Sequence, residues 1–154
     1  MNIFLLDYNM LLNAQYHTDR HVVKMITEYN QLLSSAYYFT DNIPENIYQL
    51  THENHPCSKW ARESLSNWVW LRDMTLILCQ EYTYRYGRIH AGETYCKSLP
   101  TPELIDIGIT LFAQAFPDKY KNNDPVVGYR QYYLEEKQGL FKWTKRNIPP
   151  WIIQ

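Results

Sequence analysis

Residues Asp19 to Tyr38 read DRHVVKMITEYNQLLSSAYY. Within them Val22, Met25, Ile26, Tyr29, Leu32, Leu33 and Ala36 recur every three or four positions, the spacing that lines up one face of an α-helix. Asp19 is a good N-cap residue, so a long helix is expected from about Arg20 to Tyr38. Such a stripe must be covered by other elements. The chain is therefore expected to be mainly α, a compact single-domain helical bundle over residues 1–154.

Before this helix, Asp7 or Asn9 can cap a short helix reaching about His17, and Ile3 to Leu6 suit a short N-terminal strand or an extended segment on the core. After it, Asp41 to Pro44 marks a turn, and Pro56 suits the first turn of a helix carrying Trp60 and Leu65. Ser66 can cap a helix from Asn67 to Tyr86, whose stripe is Trp68, Leu71, Thr75, Leu78 and Tyr82 and whose stop is Gly87. Shorter helical pieces are expected at Ile89 to Tyr95 and at Glu103 to Phe112. Asp124-Pro125 is a cap and first-turn pair for a helix to about Gln138, ended by Gly139. Leu140 to Gln154, with Pro149-Pro150, reads as an extended C-terminal arm.

Fifteen Lys and Arg against sixteen Asp and Glu give a net charge of -1, so no global basic field draws the chain to nucleic acid. Any polyanion must meet a local patch, and near-neutral charge suits a small ligand better than a long duplex. The 14 Tyr and 5 Trp stand against 5 Gly; such rings belong where an apolar body ends in a polar partner. Cys57, Cys79 and Cys96 are odd in number and lack a CxxC spacing, which argues against a disulfide scaffold and fits a reducing cytoplasm. The apolar run at Ile3 to Leu6 is too short for a signal peptide or a membrane span, so no membrane partner is expected.

Four segments carry the candidate chemistry. His21, Lys24, Glu28 and Gln31 share one helix face, and His17 joins them if the two helices are tightly connected. Imidazole, ammonium and carboxylate together can serve as base, acid and anion stabiliser, so His17, His21, Lys24 and Glu28 are the catalytic candidates. The plainer alternative is a solvated face with a Lys24–Glu28 pair worth about 0.3–0.5 kcal/mol. His17 and His21 also have the i, i+4 spacing of a helical metal site, but Thr18 stands where a zincin has Glu, and a third ligand would have to come from His52, His55 or His90. No metal and no cofactor is assigned.

The second segment, Thr51 to Arg62, is a loop entering a helix, where backbone N–H groups and the dipole favour an anion; it contributes His52, Asn54, His55 and Trp60 as binding candidates. Capping by Asn54 or Thr51 is the alternative. The third, Glu81 to His90, offers Arg85 and His90, although cations near a helix C-terminus are expected from the dipole alone. The fourth runs from Tyr129 to Trp151. Arg130, Tyr133 and Lys137 share a helix face beside Tyr129, and Lys137, Lys142, Lys145 and Arg146 follow without an acid among them, interleaved with aromatics. Such a patch can neutralise phosphates while rings stack on bases. GxSxG, P-loop and GxGxxG motifs are missing.

The string His17-x-Asp19-Arg20-His21-Val-Val-Lys24-Met, the Asn54-His55-Pro56 turn and Tyr129-Arg130-x-Tyr132-Tyr133 resemble a family of small tailed-phage proteins over nearly the whole chain. A weaker resemblance is to the phage pyrimidine-dimer DNA glycosylases, small all-helical enzymes with a similar early Ala-x-x-His stretch, a central aromatic helix like that from Trp60 to Gly87, and a Tyr-rich basic C-terminal end. Those enzymes attack the sugar with an N-terminal α-amine exposed by Met removal and backed by a Glu on an early helix. Here the bulky Asn2 follows Met1, and Lys24 stands at the corresponding Glu position, with Asp19 and Glu28 the nearest acids. The resemblance therefore implies a related fold without that Schiff-base mechanism.

Two functions are compatible with these residues. One is an enzyme that cleaves a glycosidic or phosphodiester bond in a nucleic acid or nucleotide, in the cytoplasm of a host cell. The other is a non-catalytic protein that sequesters a nucleotide signal of host defence or blocks a host protein.

Overall fold

The computed structural model describes residues 1–152 and is mainly α. Its helices are α1 (Met10–Tyr16), α2 (Asp19–Ala36), α3 (Pro56–Glu63), α4 (Leu65–Tyr86), α5 (Ala91–Ser98) and α6 (Pro125–Glu136). The α2 stripe is covered as its spacing requires: Val22, Met25, Ile26, Tyr29, Leu32, Leu33 and Ala36 are all buried. They pack chiefly against α4, which presents Trp68, Leu71, Met74, Thr75 and Leu78. Cys57, Cys79 and Cys96 are buried thiols, and burial pushes Cys79 and Cys96 up to about 12. Ile153 and Gln154 of the expected arm lie outside the described residues.

Several boundaries differ from expectation for identifiable reasons. Thr18, not Asp19, caps α2, its hydroxyl accepting from His21 N–H at 3.4 Å. Helix α4 begins at Leu65, earlier than the expected Asn67, and Ser66 is not its cap. Asp106 supplies the cap from a distant loop: one carboxylate oxygen accepts from the Ser66 N–H (3.2 Å) and hydroxyl (2.6 Å) and from the Ser64 hydroxyl (3.1 Å). Helix α5 runs from Ala91, with His90 as its cap, rather than from Ile89. The C-terminus of α6 is Glu136, and only Gly87 of the two expected glycine stops has the left-handed backbone, φ 67°.

One expected helix is absent among the described residues, and Ile3 to Leu6 take the extended rather than the strand form of the two expected. Residues 103–112 form no helix. Their backbone is held by side chains: Ile107 N–H by Ser64 Oγ, and Thr110 N–H by Asn67 Oδ1, while the Thr110 carbonyl accepts from Trp60 Nε1. Residues 3–6 form no strand, although they are buried. Phe4 N–H donates to the Tyr29 hydroxyl, Leu6 N–H to Asn13 Oδ1, and their carbonyls accept from Asn13 Nδ2 and Arg130 Nε. Side chains thus replace the partner strand, satisfying the obligatory backbone groups.

The tyrosine excess has the same origin. Tyr29, Tyr37, Tyr129 and Tyr133 are fully buried, and each hydroxyl tip meets a polar group, often a loop carbonyl: Tyr37 bonds Pro100 O and Tyr129 bonds Ala113 O. Tyr rings fill the core while their tips tether irregular chain.

Candidate functional site

Helix α2 and the segment before it place the two first-segment histidines differently. His17 is fully buried at the end of α1. Its Nδ1 lies 2.7 Å from the Asn13 carbonyl, which can only accept, so the ring proton is on Nδ1. Nε2 then accepts from the Tyr29 hydroxyl at 3.0 Å. Burial lowers the His17 pKa to about 4, with Arg85 adding to the effect. Sealed and bonded at both nitrogens, His17 supports the site from behind.

His21 lies one turn along, at the edge of the core with 5% of its surface exposed. It stacks on Phe4 (centroids 4.3 Å apart), and its Nδ1 is 2.5 Å from the Tyr133 hydroxyl. That hydroxyl accepts from Thr18 N–H, and directing its own proton to Nδ1 leaves the His21 proton on Nε2. Burial lowers the His21 pKa to about 3, and His17, Lys137, Lys24 and Arg20 all act in the same direction. Every charged group acting on this ring is a cation or an imidazole. Arg20 and Lys24 are exposed, and among the described residues neither they nor Lys137 pairs with a carboxylate. A neutral N–H donor ringed by unpaired cations is suited to an anion.

Glu28 corrects one expectation. It pairs with the Met1 ammonium at 3.5 Å rather than with Lys24. The ammonium and Glu28 both act on His55, so these three groups form a second polar cluster on the same side of α2. His55 itself caps α3, its Nδ1 accepting from Cys57 N–H at 3.0 Å, a role expected of Asn54 or Thr51. Burial lowers its pKa, with the ammonium and His52 adding to the effect. His52 and Asn54 are exposed on the loop before it, and His52 Nδ1 bonds the Thr51 hydroxyl.

The remaining candidates are drawn into the scaffold. Trp60 is buried and stacks on Phe112 at 4.6 Å, and Tyr129 is fully buried, so neither presents a face to a base. Tyr133 is also fully buried and serves His21. Arg85 is closed in a network: it donates to Glu81 (2.7 Å), Asp19 (3.0 Å) and the carbonyls of His17 and Gln15. Arg130 donates to the Leu6 carbonyl and to Asp7, and lies over Trp151. His90 caps α5 through Gly92 N–H, and its Nε2 meets the Val23 carbonyl. Lys137 lies 5.2 Å from the Tyr132 ring.

The structure thus brings His21, Lys24, Lys137 and Tyr133 together, with Glu28 and His55 in a neighbouring cluster, and removes Trp60, Arg85, His90, Tyr129 and Arg130. Sequence reasoning missed Arg20 and the Met1 ammonium. Arg20 carried a signal: with Lys24 it makes a like-charge i, i+4 pair, which weakens a helix by a few tenths of a kcal/mol. Among the described residues, no group of three His, Cys, Asp or Glu is placed to hold a metal, and no helix is long and apolar enough to cross a membrane. No protein-family model, curated protein or solved structure matches this chain.

Proposed function

We propose that the chain binds a phosphate-bearing ligand, a nucleotide or a nucleic acid, where His21 meets Arg20, Lys24 and Lys137, and cleaves a glycosidic or phosphodiester bond in it. The observation that supports this reading is the Nε2–H of a neutral imidazole amid cations that lack carboxylate partners. Lys24 and Lys137 attract the phosphate, and His21 Nε2–H donates to one of its oxygens. Glu28, held by the Met1 ammonium, is the carboxylate assigned to proton transfer, with His55 acting beside it.

Non-catalytic sequestration, of a nucleotide signal or through a host protein, is the second reading. It is favoured by the low basicity of the imidazoles: with pKa values of about 4 and 3, His17 and His21 are weak bases at neutral pH. One experiment separates them. The protein is incubated with mononucleotides and oligonucleotides, denatured, and the ligand analysed by chromatography. New products support cleavage; intact ligand supports sequestration. A Lys24→Ala/Lys137→Ala variant is expected to lose at least ten-fold in affinity, and undiminished binding by it rules out the site.

A further inference from the structure

The cations around His21 are not an isolated group. The Lys142 carbonyl accepts from Asp19 N–H at 2.8 Å, which sets the C-terminal arm directly beside Arg20. Thr144 then bonds the Asp19 carboxylate (2.8 Å through its N–H), and Trp143 Nε1 donates to the Tyr16 carbonyl. These contacts fix the arm so that Lys145 reaches α4: its ammonium donates to the Tyr84 carbonyl at 3.3 Å, and the Tyr84 hydroxyl donates to the Lys145 carbonyl at 3.4 Å. The arm thus adds Lys142 and Lys145 to Lys24, Arg20 and Lys137 around His21, a basic strip of five cations.

Unpaired charge is more concentrated in this strip than on the rest of the surface. Elsewhere most cations lie against carboxylates, as Arg72 does on Asp73, Lys97 on Glu93, Lys121 on Asp118 and Arg130 on Asp7, and the unpaired Lys59, Arg62 and Arg88 lie outside the strip. Among the described residues none of the five strip cations has such a partner, in a chain whose net charge is -1. At the strip's far end Tyr84 is 49% exposed, with the Arg146 guanidinium, itself paired with Glu81, 4.1 Å from the centre of its ring. Next to it a cavity of about 230 Å³ is lined by Gln15, Tyr16, Lys145, Asn147 and Pro149.

We propose that the occupant of this strip is a single-stranded polynucleotide, its phosphates following the five cations and its bases meeting the Tyr84 ring and the cavity beside it. The inference rests on the His21 site as its starting point and assigns that site's ligand to a class. A row of separated cations matches repeated phosphates, and an exposed ring flanked by cations takes an unpaired base, which a duplex keeps stacked within itself.

The test is fluorescence anisotropy of the full chain with thymidine monophosphate and with oligothymidylates of about 4, 8 and 16 nucleotides. Affinity is expected to rise with length until the strip is filled, with log K falling against log salt at about -0.7 per phosphate, or roughly -3.5 for five contacts. Lys142→Ala/Lys145→Ala is expected to lower affinity for the longest strand by roughly ten-fold and flatten its salt slope by about 1.4, leaving the monophosphate unaffected. Lys97→Ala/Lys121→Ala, which removes the same two charges from cations paired with Glu93 and Asp118, is expected to leave strand binding unchanged. If the monophosphate binds as tightly as the strands with the same slope, the polynucleotide assignment fails and the His21 site stands. If no nucleotide or strand binds, both fail. Binding to anionic lipid vesicles without binding to strands overturns the assignment in favour of a membrane surface.

Discussion

His17 and His21 are separated by one turn of chain, and the difference in what surrounds them governs their chemistry. Both are neutral in the fold because burial disfavours the imidazolium, with pKa values lowered from 6.5 to about 4 and about 3. The unfolded chain therefore binds more protons than the folded one below pH 6.5. Stability is fully present above that value and is lost as pH falls through 6.5 toward 4 and 3. Urea unfolding followed from pH 8 to pH 4 is expected to show a falling midpoint, with a loss on the order of 3 kcal/mol per imidazole at the acid end. A flat midpoint over that range contradicts the burial of the pair. Tyr133→Phe bears on the same contact. It leaves His21 Nδ1 and Thr18 N–H without the hydroxyl they share, and is expected to cost about 1–3 kcal/mol in chemical denaturation. Tyr132→Phe, at a half-buried ring, is the comparison that should cost little. The place of His21 on a mixed polar helix face was legible in the sequence. That its partner would be Tyr133, 112 positions away, was not, because no local spacing encodes that pairing.

At the scale of elements, α1, α2, α3, α4, α5 and α6 were legible from periodicity and turn residues, and the ends that differ are set by caps, local at α2 and α5 (Thr18 and His90) and distant at α4. Asp106 holds the start of α4, so the helix begins before the residue that local preference selects. Residues 103–112 are extended because Ser64, Asn67 and Trp60 take up their backbone groups. Arg85 does comparable work at the other end of α4, joining Glu81 of its own helix to Asp19 of α2 and to the last carbonyls around α1. Glu81 is buried, which pushes its pKa up, but hydrogen bonds from Arg146 and Arg85 outweigh this and hold it below the usual carboxylate range. Arg85→Met leaves Asp19 and part of Glu81 uncompensated, and a loss of about 3–5 kcal/mol is expected by thermal or chemical unfolding. Faster amide exchange around residues 143–146 should accompany it, since Asp19 and Glu81 hold that part of the arm. A variant of unchanged stability would show that this network is not what ties α4 to the arm.

For the whole molecule, composition and spacing were sufficient to determine a helical chain with its main stripes, its capped α1 and α6 starts and its Gly87 stop, because these depend on residues three or four positions apart. Local spacing also marked Lys24 and the C-terminal basic residues as separate groups. Only the tertiary structure decided that these groups lie along one surface, that Arg85 and Arg130 are consumed within the scaffold, and that Trp60 and Tyr129 belong to the core. The physical reason is that ionic pairing and burial are settled between elements far apart in the chain. A net charge of -1 constrains the sum of the charges but not their arrangement. Docking the arm on Asp19 converts a near-neutral sequence into a surface with an unpaired basic strip.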